Sequence, residues 1–127
     1  MRKVLVSGAG GFVGARIMTQ LADRYTLCAF PKGMLAAADE TAVAELVRRE
    51  QPDVILHTAA ISDTGYSEQH PAESYRANVE LPLWIAQVAR QTGAKLVSFS
   101  SDQVYAGLDA VELFTEDRPL SPANVYG

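Results

Sequence analysis

The sequence predicts an α/β fold, a doubly wound parallel sheet of Rossmann type, and three observations carry that expectation. The strand candidates are short continuous apolar runs instead of alternating ones, which marks strands covered on both faces. These runs alternate with stretches of helical spacing, the order that builds parallel sheets through right-handed crossovers. A glycine-rich turn, Ser7-Gly8-Ala9-Gly10-Gly11-Phe12-Val13-Gly14, joins the first apolar run to the first helical stretch.

Taken in order, Lys3 to Ser7 reads as the first strand and Gly11 to Asp23 as the first helix, with Val13, Ile17 and Leu21 at helical spacing. Thr26 to Phe30 is the second strand, stopped by Pro31 and Gly33. A loop with room for one short strand leads to a helix over Asp39 to Glu50. Asp39 or Thr41 is its cap and Val43, Leu46 and Val47 its buried stripe. Pro52 precedes the third strand, Asp53 to His57, and Thr58 to Pro71 reads as a polar loop. The spacing of Ala77, Leu81, Trp84, Ile85 and Val88 predicts a long helix over Ala72 to Gln91, kinked or locally opened by Pro82. Lys95 to Ser100 is the fourth strand, and from Gly107 to Pro122 the pattern reads as loop.

Composition narrows the function. The chain has 127 residues, 48% hydrophobic and 20% charged, which suits one globular domain. A net charge of −4 without a basic run argues against nucleic-acid binding. Apolar runs fall short of membrane-spanning length, and the start lacks a cleavage site for secretion. Cys28 is the single cysteine, so no disulfide framework forms; a buried thiol and a cytoplasmic setting are expected. His57 and His70 have no carboxylate or cysteine at ligand spacing, and no metal site is expected.

Strand, glycine turn and helix in succession predict a phosphate site. Gly8 turns the chain out of the strand, and Gly11, without a Cβ, admits a pyrophosphate and is expected to need dihedral angles reserved to glycine. Gly14 lets the helix sit close to the sheet. Gly10, Phe12 and Val13 complete the loop, whose open amides and helix dipole favour an anion. Enzymes that use NAD place an acid near the end of the second strand to hold the ribose. Thr26 to Ala38 contains no acid; Lys32, about 18 positions past Gly14, suits a 2′-phosphate, with Arg16 a second cation nearby. NADP is therefore expected ahead of NAD.

The glycines fall as GxxGxxG, with Ser7 where Thr is usual, and this spacing resembles the extended short-chain dehydrogenase/reductase family. Three further motifs follow in the family's order: His57-Thr58-Ala59-Ala60, Ser100-Ser101-Asp102-Gln103-Val104-Tyr105 and Pro122-Ala123-Asn124-Val125-Tyr126-Gly127. The last resembles the branch of dTDP-4-dehydrorhamnose reductase and related sugar-nucleotide reductases. Gln103 departs from that branch, which has an aromatic residue there.

The resemblance implies a set of roles. Ala59 and Ala60 leave room along the cofactor, and Asn78 supplies a carbonyl or holds a water beside it, with a solvent-facing Asn as the alternative. Ser100 satisfies nearby backbone within the cofactor site. Ser101 hydrogen-bonds a substrate carbonyl, and Tyr126 protonates its oxygen as hydride arrives from the nicotinamide. The matching lysine would fall three positions past Gly127. The chain is thus expected to be the NAD(P)-binding front portion of a reductase of nucleotide-linked keto sugars, inactive alone and compatible with a homodimer. A nucleotide-sugar epimerase or dehydratase, and a non-catalytic regulatory nucleotide-binding subunit, are the alternatives.

Overall fold

The structure, a computed structural model, describes residues 1–37, 39–109 and 113–127. Strands β1 (Lys3–Ser7), β2 (Thr26–Ala29), β3 (Val54–His57) and β4 (Lys95–Ser98) form one parallel four-stranded sheet in the order β2-β1-β3-β4. The helices are α1 (Phe12–Gln20), α2 (Met34–Ala37), α3 (Glu40–Glu50), α4 (Thr64–Gln69), α5 (Pro71–Tyr75) and α6 (Leu81–Thr92). The chain steps outward from β1 to β2, then returns past β1 to β3. Right-handed crossovers consequently put α1 on one face and α3 and α6 on the other. This is the expected α/β architecture.

The core lies between the sheet and α3 and α6, where Leu5, Val43, Val47, Ile55, Ile85 and Val88 pack together. Val4 and Val6 flank Leu5 and are buried on the opposite face, as the two-residue period of a strand requires. Asp39 caps α3 by accepting the amide of Ala42 at 2.8 Å, and Val43, Leu46 and Val47 are its buried residues.

Several expectations are corrected. Strands β2, β3 and β4 are shorter than the apolar runs, although the Phe30 amide still donates to the Val6 carbonyl at 2.9 Å. Between β2 and α3 the described residues form the short α2 and no strand; Ala38 lies outside the described residues, as do residues 110–112 of the expected loop. The polar stretch Thr58 to Pro71 contains α4, begun by Asp63, whose carboxylate accepts the Tyr66 amide at 2.7 Å. It lacks the apolar stripe on which the sequence reading relied.

Helix α1 ends before Asp23, and its buried residue is Gly14; Val13 is 44% exposed, so the stripe expected of Val13, Ile17 and Leu21 is only partly covered. Cys28 is half-buried, not buried, and desolvation still raises its pKa. Trp84 is likewise half-buried, with the Arg76 guanidinium 5.8 Å from its ring centre.

Pro82 has the anticipated effect. A π-turn over Arg76–Glu80 separates α5 from α6, with the Leu81 amide donating to the Arg76 carbonyl. Proline offers no N–H to the preceding turn, and a shift to the wider i→i+5 ladder absorbs that loss.

Candidate functional site

The site lies at the carboxyl ends of the strands, where the strand order reverses between β1 and β3. Gly8 turns the chain out of β1 with φ of +71°. A Cβ there would come within 2.8 Å of both the Ala59 amide nitrogen and the Thr58 hydroxyl, so the glycine turn presses on the segment after β3. A Cβ on Gly14 would lie 2.0 Å from the Gly8 carbonyl oxygen, so α1 docks by backbone against the glycine turn itself. Gly11 differs from expectation: φ −80° and ψ 175° are extended angles open to any residue, and a Cβ would meet only the Gly8 carbonyl oxygen, at 3.3 Å. Its small size, not its conformational freedom, is what a ligand would use.

Beneath the turn is a buried polar cluster. The Ser7 hydroxyl oxygen accepts the amides of Thr58 at 3.2 Å and Ala59 at 3.3 Å and lies 2.6 Å from His57 Nδ1. With both lone pairs occupied by N–H donors, Ser7 gives its own proton to Nδ1, so His57 is neutral and protonated on Nε2. Burial pushes the His57 pKa down to about 4, which keeps it in that state. The Thr58 hydroxyl donates back to the Ser7 carbonyl at 2.7 Å. His57 is thus a satisfied residue at a strand end, as expected. The hub, Ser7, is not apparent from its sequence neighbours.

Two cavities flank this cluster. The smaller, about 210 Å³, is bounded by Gly10, Gly11, Phe30, Lys32 and Leu81 among others. Lys32 is exposed at its mouth, and α1 opens beside it with no capping side chain and no acid in its first turn. Phe12 is 87% exposed at that opening. A helix N-terminus without a capping side chain, a cation and a lining that holds no acid among the described residues fit the pyrophosphate and 2′-phosphate of a dinucleotide.

The larger cavity, about 560 Å³, brings together Ala59, Ala60, Asn78, Ser100, Ser101 and Tyr126. Three of these differ in local detail from expectation. Asn78 is half-buried on the cavity wall, and its carboxamide is engaged in clamping Ile61, accepting the Ile61 amide and donating to the Ile61 carbonyl, each at 2.9 Å. Among the two serines, it is Ser101 that serves the backbone, accepting the Gln103 amide at 3.2 Å and starting a 3₁₀ turn over Asp102–Tyr105. Its O–H proton is directed at the Asp102 carboxylate at 3.5 Å, a long contact that a ligand's acceptor could replace, while Ser100 is exposed on the cavity wall. Tyr126 is half-buried and sits in a segment tied by its neighbours, the Val125 amide donating to Glu68 and the Asn124 side chain to Gln103. No sequence signal marked Glu68.

Comparison with known proteins agrees with this geometry. The chain is 33% identical to the spore coat polysaccharide biosynthesis protein SpsK of Bacillus subtilis, over 100% of this chain and 45% of that protein. It is 36% identical to dTDP-4-dehydrorhamnose reductase of Streptomyces griseus, over 97% of this chain and 40% of the reductase. The crystal structure of dTDP-4-dehydrorhamnose reductase from Bacillus anthracis in complex with NADP superposes with a TM-score of 0.90 at 28% identity, covering 98% of this chain and 45% of that one. The chain therefore spans less than half the length of these relatives. The family model described as RmlD substrate binding domain matches residues 1–127, and the chain belongs to that family.

Proposed function

We propose that this chain is the cofactor-binding portion of an NADP-dependent reductase that acts on a nucleotide-linked keto sugar of the dTDP-4-dehydrorhamnose type. The observation that carries the proposal is the larger cavity, because residues 25 positions apart in sequence, Ser101 and Tyr126, line it together beside the glycine turn. The relatives named as dTDP-4-dehydrorhamnose reductase and the NADP complex of one of them support it.

In this reading the amides that open α1 hold the pyrophosphate and Lys32 meets the 2′-phosphate. Ala59 and Ala60 keep the wall low enough for a flat ring, and the Ser7 cluster fixes their backbone. Nicotinamide, when bound, supplies the hydride. Ser101 donates its hydroxyl proton to the ketone oxygen and draws electron density from the carbonyl carbon. Tyr126 transfers its phenolic proton to the same oxygen, so the ketone becomes an alcohol and the tyrosine is left as the phenolate for reprotonation. Asn78 acts here through Ile61, holding the rim of the cavity.

The test is NADPH oxidation with dTDP-4-dehydrorhamnose by the protein that carries this chain. Tyr126→Phe is expected to lower turnover about 10²-fold or more while leaving NADPH affinity almost unchanged, the pattern of a lost general acid. A Tyr126→Phe protein with wild-type turnover would remove Tyr126 from the chemistry. Absence of NADPH oxidation by the wild type with any keto sugar would favour a regulatory nucleotide-binding subunit.

A further inference from the structure

The segment that carries Tyr126 is irregular and joined to the rest of the site by polar contacts. The backbone amides of both residues next to Tyr126 are occupied. On one side the Val125 N–H donates to the Glu68 carboxylate at 2.6 Å, across 57 positions of sequence. On the other the Gly127 N–H donates to the Asn124 side-chain oxygen at 2.8 Å. Asn124 in turn donates from its amide nitrogen to Gln103 Oε1 at 3.2 Å, and the Gln103 backbone amide donates to the Ser101 hydroxyl oxygen at 3.2 Å. A continuous line of hydrogen bonds thus runs from Ser101 through Gln103 and Asn124 to the peptide after Tyr126. A charge-assisted bond from α4 holds the Asn124–Val125 peptide, one residue ahead of Tyr126.

We propose that Glu68 and Gln103 are positioning residues for Tyr126, gripping its segment from opposite sides and setting its distance to Ser101. The proposal rests on the reductase reading and adds residues that touch neither substrate nor cofactor. It also gives a use to Gln103, whose amide oxygen can accept from Asn124; a hydrocarbon ring at that position could not. Glu68 is exposed and belongs to a six-residue helix anchored by Asp63, so its replacement leaves the core intact.

Two measurements test it. The first is amide hydrogen exchange at Val125 in the ¹⁵N-labelled protein. Glu68→Ala is expected to speed exchange about tenfold or more, since the amide loses its only side-chain acceptor among the described residues, and Glu68→Gln is expected to restore most of the protection because its carbonyl oxygen can accept the same N–H. The second is turnover. Glu68→Ala and Gln103→Leu are each expected to cut kcat about tenfold, with KM for NADPH within about twofold, because small misplacements of a catalytic group cost rate instead of cofactor affinity. Recovery by Glu68→Gln supports positioning over a general structural role. Equal Val125 exchange in all variants overturns the grip, and full kcat in Glu68→Ala overturns its bearing on Tyr126. If the wild type oxidises no NADPH, the reductase reading falls, and the Val125 exchange alone decides whether Glu68 holds the segment.

Discussion

Gly11 and Gly14 are three residues apart and do different work, because what surrounds them differs. Gly14 has backbone at 2.0 Å from where a Cβ would sit, and backbone cannot step aside. Gly14→Ala is therefore expected to cost about 2–4 kcal/mol of stability, measured as a lower urea midpoint with unchanged slope. A Cβ on Gly11 would meet only the Gly8 carbonyl oxygen, at 3.3 Å, a tight contact that a small shift of the turn relieves, so Gly11→Ala is expected to cost about 1 kcal/mol, the scale of an N-cap change. The same methyl stands where a pyrophosphate would approach and is expected to weaken NADPH binding about tenfold or more by calorimetry. Lys32 is exposed at the mouth of the smaller cavity, so in the proposed reading it acts by charge alone. An exposed ammonium–phosphate contact supports only about a five- to fifty-fold preference for NADP over NAD, shrinking as salt rises. Lys32→Asp is expected to reverse the preference, and equal affinities for both cofactors in wild type and variant would relieve Lys32 of the role.

The elements follow from local chemistry wherever that chemistry is self-contained. The cap of α3 is one such case: Asp39 accepts the Ala42 amide, Glu40 enters the first turn and Arg48 and Arg49 the last, so cap and dipole agree. Asp39→Ala is expected to lower stability by about 1 kcal/mol in thermal or urea unfolding. The strands and the buried stripes of α3 and α6 were legible for the same reason, since periodicity reports burial directly. So was the disturbance at Pro82, where one missing N–H forces a local answer. Helix α4 was not legible. Its stability comes from Asp63 at its start and from the Ser67–Ser74 hydroxyl contact of 3.0 Å with α5, and neither leaves an apolar period. The candidate site divides along the same line. Glycine turn, Ser101 and Tyr126 belong to compact motifs, whereas Ser7, Glu68 and Asn78 act through partners 17 to 57 positions away that no single stretch of sequence displays.

At the scale of the whole molecule, the buried His57 ties stability to acidity. Its pKa is about 4 in the folded chain against about 6.5 when unfolded, so below neutrality the unfolded chain takes up a proton that the folded chain refuses. Stability is complete above about pH 6.5, falls as the pH drops toward about 4, and loses up to about 3 kcal/mol over that window. Urea midpoints across the window are expected to show this slope, and His57→Gln, which cannot take up the proton, is expected to flatten it. The convergence of β1 and β3 has a further consequence for anyone exchanging parts between relatives. Gly8 leans on the Thr58–Ala59 backbone, and Ser7 binds the amides of both residues. The glycine turn and the wall of the larger cavity are therefore a single inheritable block: a graft of Ser7–Gly14 from a relative will seat properly only when His57–Ala60 travels with it.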